Sequence, residues 1–142
     1  MANTIPQSSV PLSTTAVATT GAGSAFIGAS ANTGRCVYLT GFSYQASGAT
    51  AATTVTITVA YVPPSGAQVV LGSWSYPITS TAANMGVPLE INLIPPMQSA
   101  VPITGGVNVG LGSIPVGAIL VSFTAAGAGA TFAGLNIWGY ML

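Results

Sequence analysis

Thr53-Thr54-Val55-Thr56-Ile57-Thr58-Val59-Ala60-Tyr61 alternates without a break. Val55, Ile57, Val59 and Tyr61 fall on one side of an extended chain, and Thr54, Thr56, Thr58 and Ala60 on the other. A period of two is what a strand with one buried face requires, because successive side chains leave the pleat in opposite directions. The β-branched content suits a pleated surface better than a helix. Pro63-Pro64-Ser65-Gly66 then ends the strand with a turn.

The same period runs outward in both directions. Upstream, Cys36, Tyr38, Thr40, Phe42 and Tyr44 share one predicted face, and Gln45-Ala46-Ser47-Gly48 reads as a turn. Downstream, Gln68 to Tyr76 places Trp74 and Tyr76 together, and a short segment surrounds Ile78. In Val87 to Leu93, the residues Val87, Leu89, Ile91 and Leu93 alternate with Pro88, Glu90 and Asn92. Pro95-Pro96 is expected to stop that strand, since proline removes a ladder donor. Thr104-Gly105-Gly106 turns the chain into Val107, Val109 and Leu111. Ala118–Thr124 and Thr131–Met141 complete the set, on either side of a small-residue loop.

No stretch carries helical periodicity with caps. The expectation is an all-β fold: a single jelly-roll-like β-sandwich of about eight strands with an extended N-terminal arm. The proline-marked connections around residues 77–86 and 94–106 suit strands that cross between sheets, which favours a jelly roll over an up-and-down barrel. Residues 1–33 are the arm, built of Ser, Thr, Ala, Gly and Pro, with one short strand expected over Ser24–Gly28. Such a segment has too little apolar area to offset its ordering entropy alone, so it is expected to lie across a neighbouring subunit. Residues 34–142 are the sandwich domain.

Composition narrows the chemistry. Of 142 residues, half are apolar and 1% are charged: Arg35, Glu90 and no histidine. General acid–base catalysis needs a tunable proton carrier. A Ser–His–Asp array, a Cys–His dyad and a carboxylate pair cannot be assembled from this inventory. Clusters of metal ligands are equally out of reach. The chain is therefore expected not to be an enzyme, and to use no cofactor, metal or small-molecule substrate. One arginine supplies almost no counterion release, so no nucleic-acid binding is expected. Net charge near zero together with a high apolar fraction favours association.

Cys36 stands alone and is expected to be a small buried hydrophobe. The N-terminus has no basic region followed by an apolar core, so no secretory signal is expected. Ile114–Leu142 is uncharged but interrupted by Pro115, Ser122, Thr124 and several glycines, so two strands are expected there, with no membrane partner.

Three features carry functional readings. Thr54, Thr56 and Thr58 form a ladder of the kind that orders water on ice-binding surfaces. No repeat of the ladder is present, and an outer sheet face is the plainer reading. Trp74, Tyr76, Trp138 and Tyr140 are candidate interface or core aromatics, or a platform for sugar stacking. Arg35 and Glu90 are a candidate ion pair, within one chain or between subunits.

In pattern, residues 34–142 resemble the jelly-roll decoration, or cement, proteins of tailed-bacteriophage capsids. The likeness rests on Arg35-Cys36-Val37-Tyr38-Leu39-Thr40-Gly41-Phe42, on Thr53–Tyr61 and on Asn136-Ile137-Trp138-Gly139-Tyr140. It implies a homotrimer on the outer surface of the virion shell, clamping capsomers of a major capsid protein, with a stay in the host cytoplasm during assembly. The near-absence of charge departs from many exposed virion proteins. The alternatives are a carbohydrate-binding, lectin-like virion or fibre module and a small outer-membrane barrel, whose interior would normally be polar.

Overall fold

The computed structural model describes residues 10–18, 21–78 and 89–142. The strands are β1 (Val10–Ala18), β2 (Gly23–Ile27), β3 (Val37–Ser47), β4 (Thr53–Tyr61), β5 (Val69–Ile78), β6 (Leu89–Gln98), β7 (Val107–Asn108), β8 (Ile114–Pro115), β9 (Ile119–Phe123) and β10 (Phe132–Met141). Eight of them form two antiparallel four-stranded sheets. The first is ordered β1-β10-β3-β6 and the second β2-β9-β4-β5, while β7 and β8 pair separately. Only the β4–β5 hairpin stays within its sheet. Every other link between these eight strands crosses the sandwich, which is the jelly-roll arrangement. The chain crosses between the sheets after β5 and after β6, as expected, but residues 94–98 of the second expected connection belong to β6, and residues 79–88, including Val87, lie outside the described residues.

The segment expected to be an arm enters the sandwich. β1 pairs with β10 from Val10↔Met141 to Ala18↔Ala133, and β2 pairs with β9. A Ser/Thr/Ala segment gains from the sheet what it lacks in apolar burial: a partner for its backbone groups. Residues 1–9 and 19–20 lie outside the described residues.

The core lies between the sheets. β4 contributes Val55, Ile57 and Val59, all fully buried, while β3 supplies Phe42 and Tyr44, and β10 supplies Leu135 and Ile137. Tyr44 packs on Phe123 with ring centroids 5.2 Å apart. The strand bounds of β4 match the alternation residue for residue.

β3 departs from its predicted face. Val37 and Leu39 are buried, and so are Phe42, Tyr44 and Ala46, so the inward parity changes between Leu39 and Phe42. The cause is a bulge. Trp138 pairs with Gly41 and Gly139 with Leu39, leaving Thr40 without a partner on β10. The Thr40 hydroxyl donates to the Trp138 carbonyl at 3.1 Å, which satisfies a group at the break in the ladder. Tyr38 consequently lies on the outer face. The expected turn at residues 45–48 also shifts, because β3 runs on to Ser47.

Pro95-Pro96 does not end β6. The strand continues to Gln98, with Asn92 opposite Gly41 and Met97 opposite Leu39, so the prolines sit in an excursion opposite Thr40. β6 is an edge strand, and an edge tolerates residues that cannot donate to a ladder. The strand expected over Val107–Leu111 is two residues long and passes into a 3-10 turn, leaving Val109 77% exposed. Asn108 explains why this excursion is fixed. It is buried, and its Nδ2 donates to the carbonyls of Pro63 and Gly66, each at 3.0 Å, tying it to the β4–β5 loop.

Candidate interaction surfaces

The outer faces of the two sheets differ in chemistry. On the first sheet, Tyr38 and Tyr140 stack across β3 and β10 with centroids 4.9 Å apart and planes 9° from parallel. Burial, chiefly, raises the Tyr38 phenol above its ordinary value, with Cys36 and Tyr140 adding to the shift. Trp138 lies over Gly41, where an added Cβ would come within 2.7 Å of the indole. Phe132 lies over Gly134 in the same way, at 2.6 Å, and is 38% exposed. Each glycine makes room for an aromatic ring to lie flat along the strand. Asn136 Nδ2 donates to Ser43 Oγ at 3.5 Å farther along this face.

On the second sheet, Ser24 pairs with Ser122, Ser122 with Thr58, and Thr58 with Ser73, so one row of hydroxyl residues spans all four strands. Thr124, Thr56 and Ser75 form a second row, joined by the Thr56 N–H donating to Thr124 Oγ1 at 2.9 Å. The predicted threonine ladder is thus one column of a two-dimensional hydroxyl face. A single-strand pattern could not reveal it, because cross-strand neighbours are distant in sequence.

The four candidate aromatics do not form one platform. Trp74 and Tyr76 sit on β5 opposite Ile57 and Val55 and pack against the core, Trp74 meeting Phe42 edge-on at 5.2 Å. Trp138 and Tyr140 lie on the other sheet, on its outer face, so the sugar-stacking arrangement of all four is corrected. The Asn108 side-chain amide is committed to two backbone carbonyls.

Arg35 and Glu90 lie apart within the chain. The Arg35 carbonyl accepts from Ile103 N–H just before β3 begins, whereas exposed Glu90 is opposite Ser43. Six strand positions, about 20 Å at roughly 3.3 Å per residue, separate Val37 from Ser43. An intrachain pair is therefore corrected. Cys36 is a free thiol of intermediate exposure, not a fully buried one, and its backbone exchanges two 3.0 Å bonds with Leu142.

Among the described residues two depressions stand out. One opens where β1 and β2 part, between Leu12–Thr14 and Ser24–Ala29, and the other lies over the hydroxyl face near Ser24, Thr56 and Ser122. Neither lining contains a titratable side chain. Among the described residues no three His, Cys, Asp or Glu come together, and no helix is long and apolar enough to cross a membrane. Comparison with known proteins finds no matching family model, no matching curated protein and no matching solved structure.

Proposed function

We propose that this chain is a structural virion protein: a capsid decoration, or cement, protein that stabilises the shell by binding across capsomers. In this reading it acts without catalysis, as a homotrimer on the outer surface of the capsid, with the major capsid protein as its partner. It is present in the host cytoplasm during assembly. The observation that carries the reading is a well-packed jelly roll whose outer faces hold rings and hydroxyls almost free of charge. Such a surface acts through shape, apolar contact at about 25 cal/mol per Å² and hydrogen bonds. The split of the four aromatics between the sheets weighs against the lectin alternative.

The test is attachment to purified particles. Binding should survive about 1 M NaCl, because screening has few charges to act upon, and particles carrying the protein should rupture at a higher temperature than particles without it. Release by salt at neutral pH would overturn the proposal.

A further inference from the structure

The hydrogen bonds of Thr56 reveal which way the backbone of β5 faces. Thr56 N–H donates to Thr124 Oγ1 and its carbonyl accepts from Thr124 N–H at 3.1 Å, so both groups point towards β9. Thr56 is opposite Ser75 on β5. Since ladder groups alternate in direction along a strand, Ile57–Trp74 and Val55–Tyr76 are the bonded β4–β5 pairs. Ser73, Ser75 and Pro77 therefore turn their backbone groups away from β4. Pro77, which has no N–H to offer, fits that parity.

Among the described residues, β5 has no strand on that open side. The edges at β6 and β2 are guarded or occupied. β6 carries Glu90, two prolines and the irregular excursion opposite Thr40, while β2 is five residues long and contacts β1 at its own flank. β5 is ten residues long and uncharged, with Val69 40% and Val70 56% exposed. Natural edges are normally blunted by charge, proline or shortness, because an open ladder recruits another chain. β5 has only Pro77, near its end, and a bulge near Leu71.

We propose that β5 joins two copies of this chain by antiparallel strand pairing about a twofold axis through Trp74. In that register Ser73 and the partner's Ser75 exchange both backbone bonds, as do Ser75 and the partner's Ser73. The two Trp74 residues oppose each other at the closer, non-bonded pair, and Gly72 faces the partner's Tyr76. The half-buried rings of Trp74 and Tyr76 cover one another across the seam, and the hydroxyl face becomes continuous across eight strands. A second copy is the occupant because antiparallel pairing of identical strands is self-complementary. The absence of charge on β5 leaves no like charges to bring together, and the chain has no net charge to hold copies apart. Within the cement-protein reading the contact would link neighbouring trimers, but it does not depend on a capsid.

The test uses the purified full chain: amide hydrogen exchange read by NMR across a concentration series, with light scattering on wild type, Ser75→Pro and Ser75→Lys. The Ser73 and Ser75 amides should exchange at least about ten-fold more slowly as concentration rises, together with an increase in mass. Both variants should keep the circular-dichroism signature of the fold and lose that association, Ser75→Lys without any backbone change. A monomer at every concentration, unchanged exchange at these amides in an associated sample, or equal association by Ser75→Lys would each overturn the proposal. Protection that appears only on particles would assign the edge to a shell protein and overturn it as well.

Discussion

β4 and β3 are each an inner strand of their sheet, and they treat the same alternating code differently. β4 alternates without a break from Thr54 to Val59, with Val55, Ile57 and Val59 buried, and only at Ala60, also buried, does the pattern end. β3 begins with Val37 and Leu39 inward, then passes Thr40 and continues with Phe42, Tyr44 and Ala46 inward. One unpaired residue thus serves as a phase shift. It allows Tyr38 to join the outer aromatic face while Phe42 enters the core. Strand alternation is therefore binding only while the neighbouring ladders remain in step.

The largest effect should come from imposing on β4 the irregularity that β3 accommodates. Inserting one threonine between Thr56 and Ile57 would turn Ile57 and Val59 outward or break both flanking ladders. It should abolish the cooperative thermal transition, since it removes several buried side chains at about 1.5–3 kcal/mol each from a fold whose stability is on the order of 5–15 kcal/mol. The converse experiment is deletion of Thr40. It leaves Val37, Leu39, Phe42 and Tyr44 on a continuous alternation and restores step with β10, at the cost of the hydroxyl bond to Trp138. The chain should still fold, with a loss of about 1–2 kcal/mol in denaturant titration. Collapse on the scale of the β4 insertion would show that the bulge is structurally required.

Tyr44 sharpens the comparison with the smallest effect. Its hydroxyl is buried without a hydrogen-bond partner among the described residues, and burial pushes its pKa from 10.0 up to about 12. Below pH 10 the phenol is protonated in both folded and unfolded chains. Between pH 10 and about 12 the unfolded chain ionises first and binds fewer protons, so stability falls as pH rises. Tyr44→Phe should be neutral or slightly stabilising at pH 7, by up to about 1 kcal/mol, and should flatten the decline above pH 10. A variant that loses stability at pH 7 would mean that the hydroxyl has a partner.

Legibility followed the range of the interaction. The β4 alternation, the Pro63–Gly66 turn and the crossing connections are consequences of neighbours in sequence, and they were readable. Three features were not: the Thr40 bulge, the passage of β6 through Pro95-Pro96 and the entry of β1 into the first sheet. The bulge depends on β10, about a hundred residues away in the chain. Pro95 and Pro96 read as a strand end unless β6 is known to be an edge. The Ser/Thr/Ala run of β1 has little apolar signal, and its place is set by backbone pairing with residues 133–141. Of the candidate site residues, Trp138 and Tyr140 proved to share a surface, whereas Phe132 and Tyr38, its other rings, went unselected. The bulge hid the face of Tyr38, and Phe132 was hidden because only its position over Gly134 marks it.

The sequence alone determined the class of fold and the scarcity of chemistry. Alternation fixes strands through local geometry, and the near-absence of charge, with Arg35 and Glu90 as the charged side chains, is a property of composition whatever the fold. Only the tertiary structure decided which strands are edges, which aromatics face outward, and that Arg35 and Glu90 lie far apart. Those outcomes depend on pairing between distant segments, and the pairing partner decides the direction of each backbone group and hence what remains open at the surface.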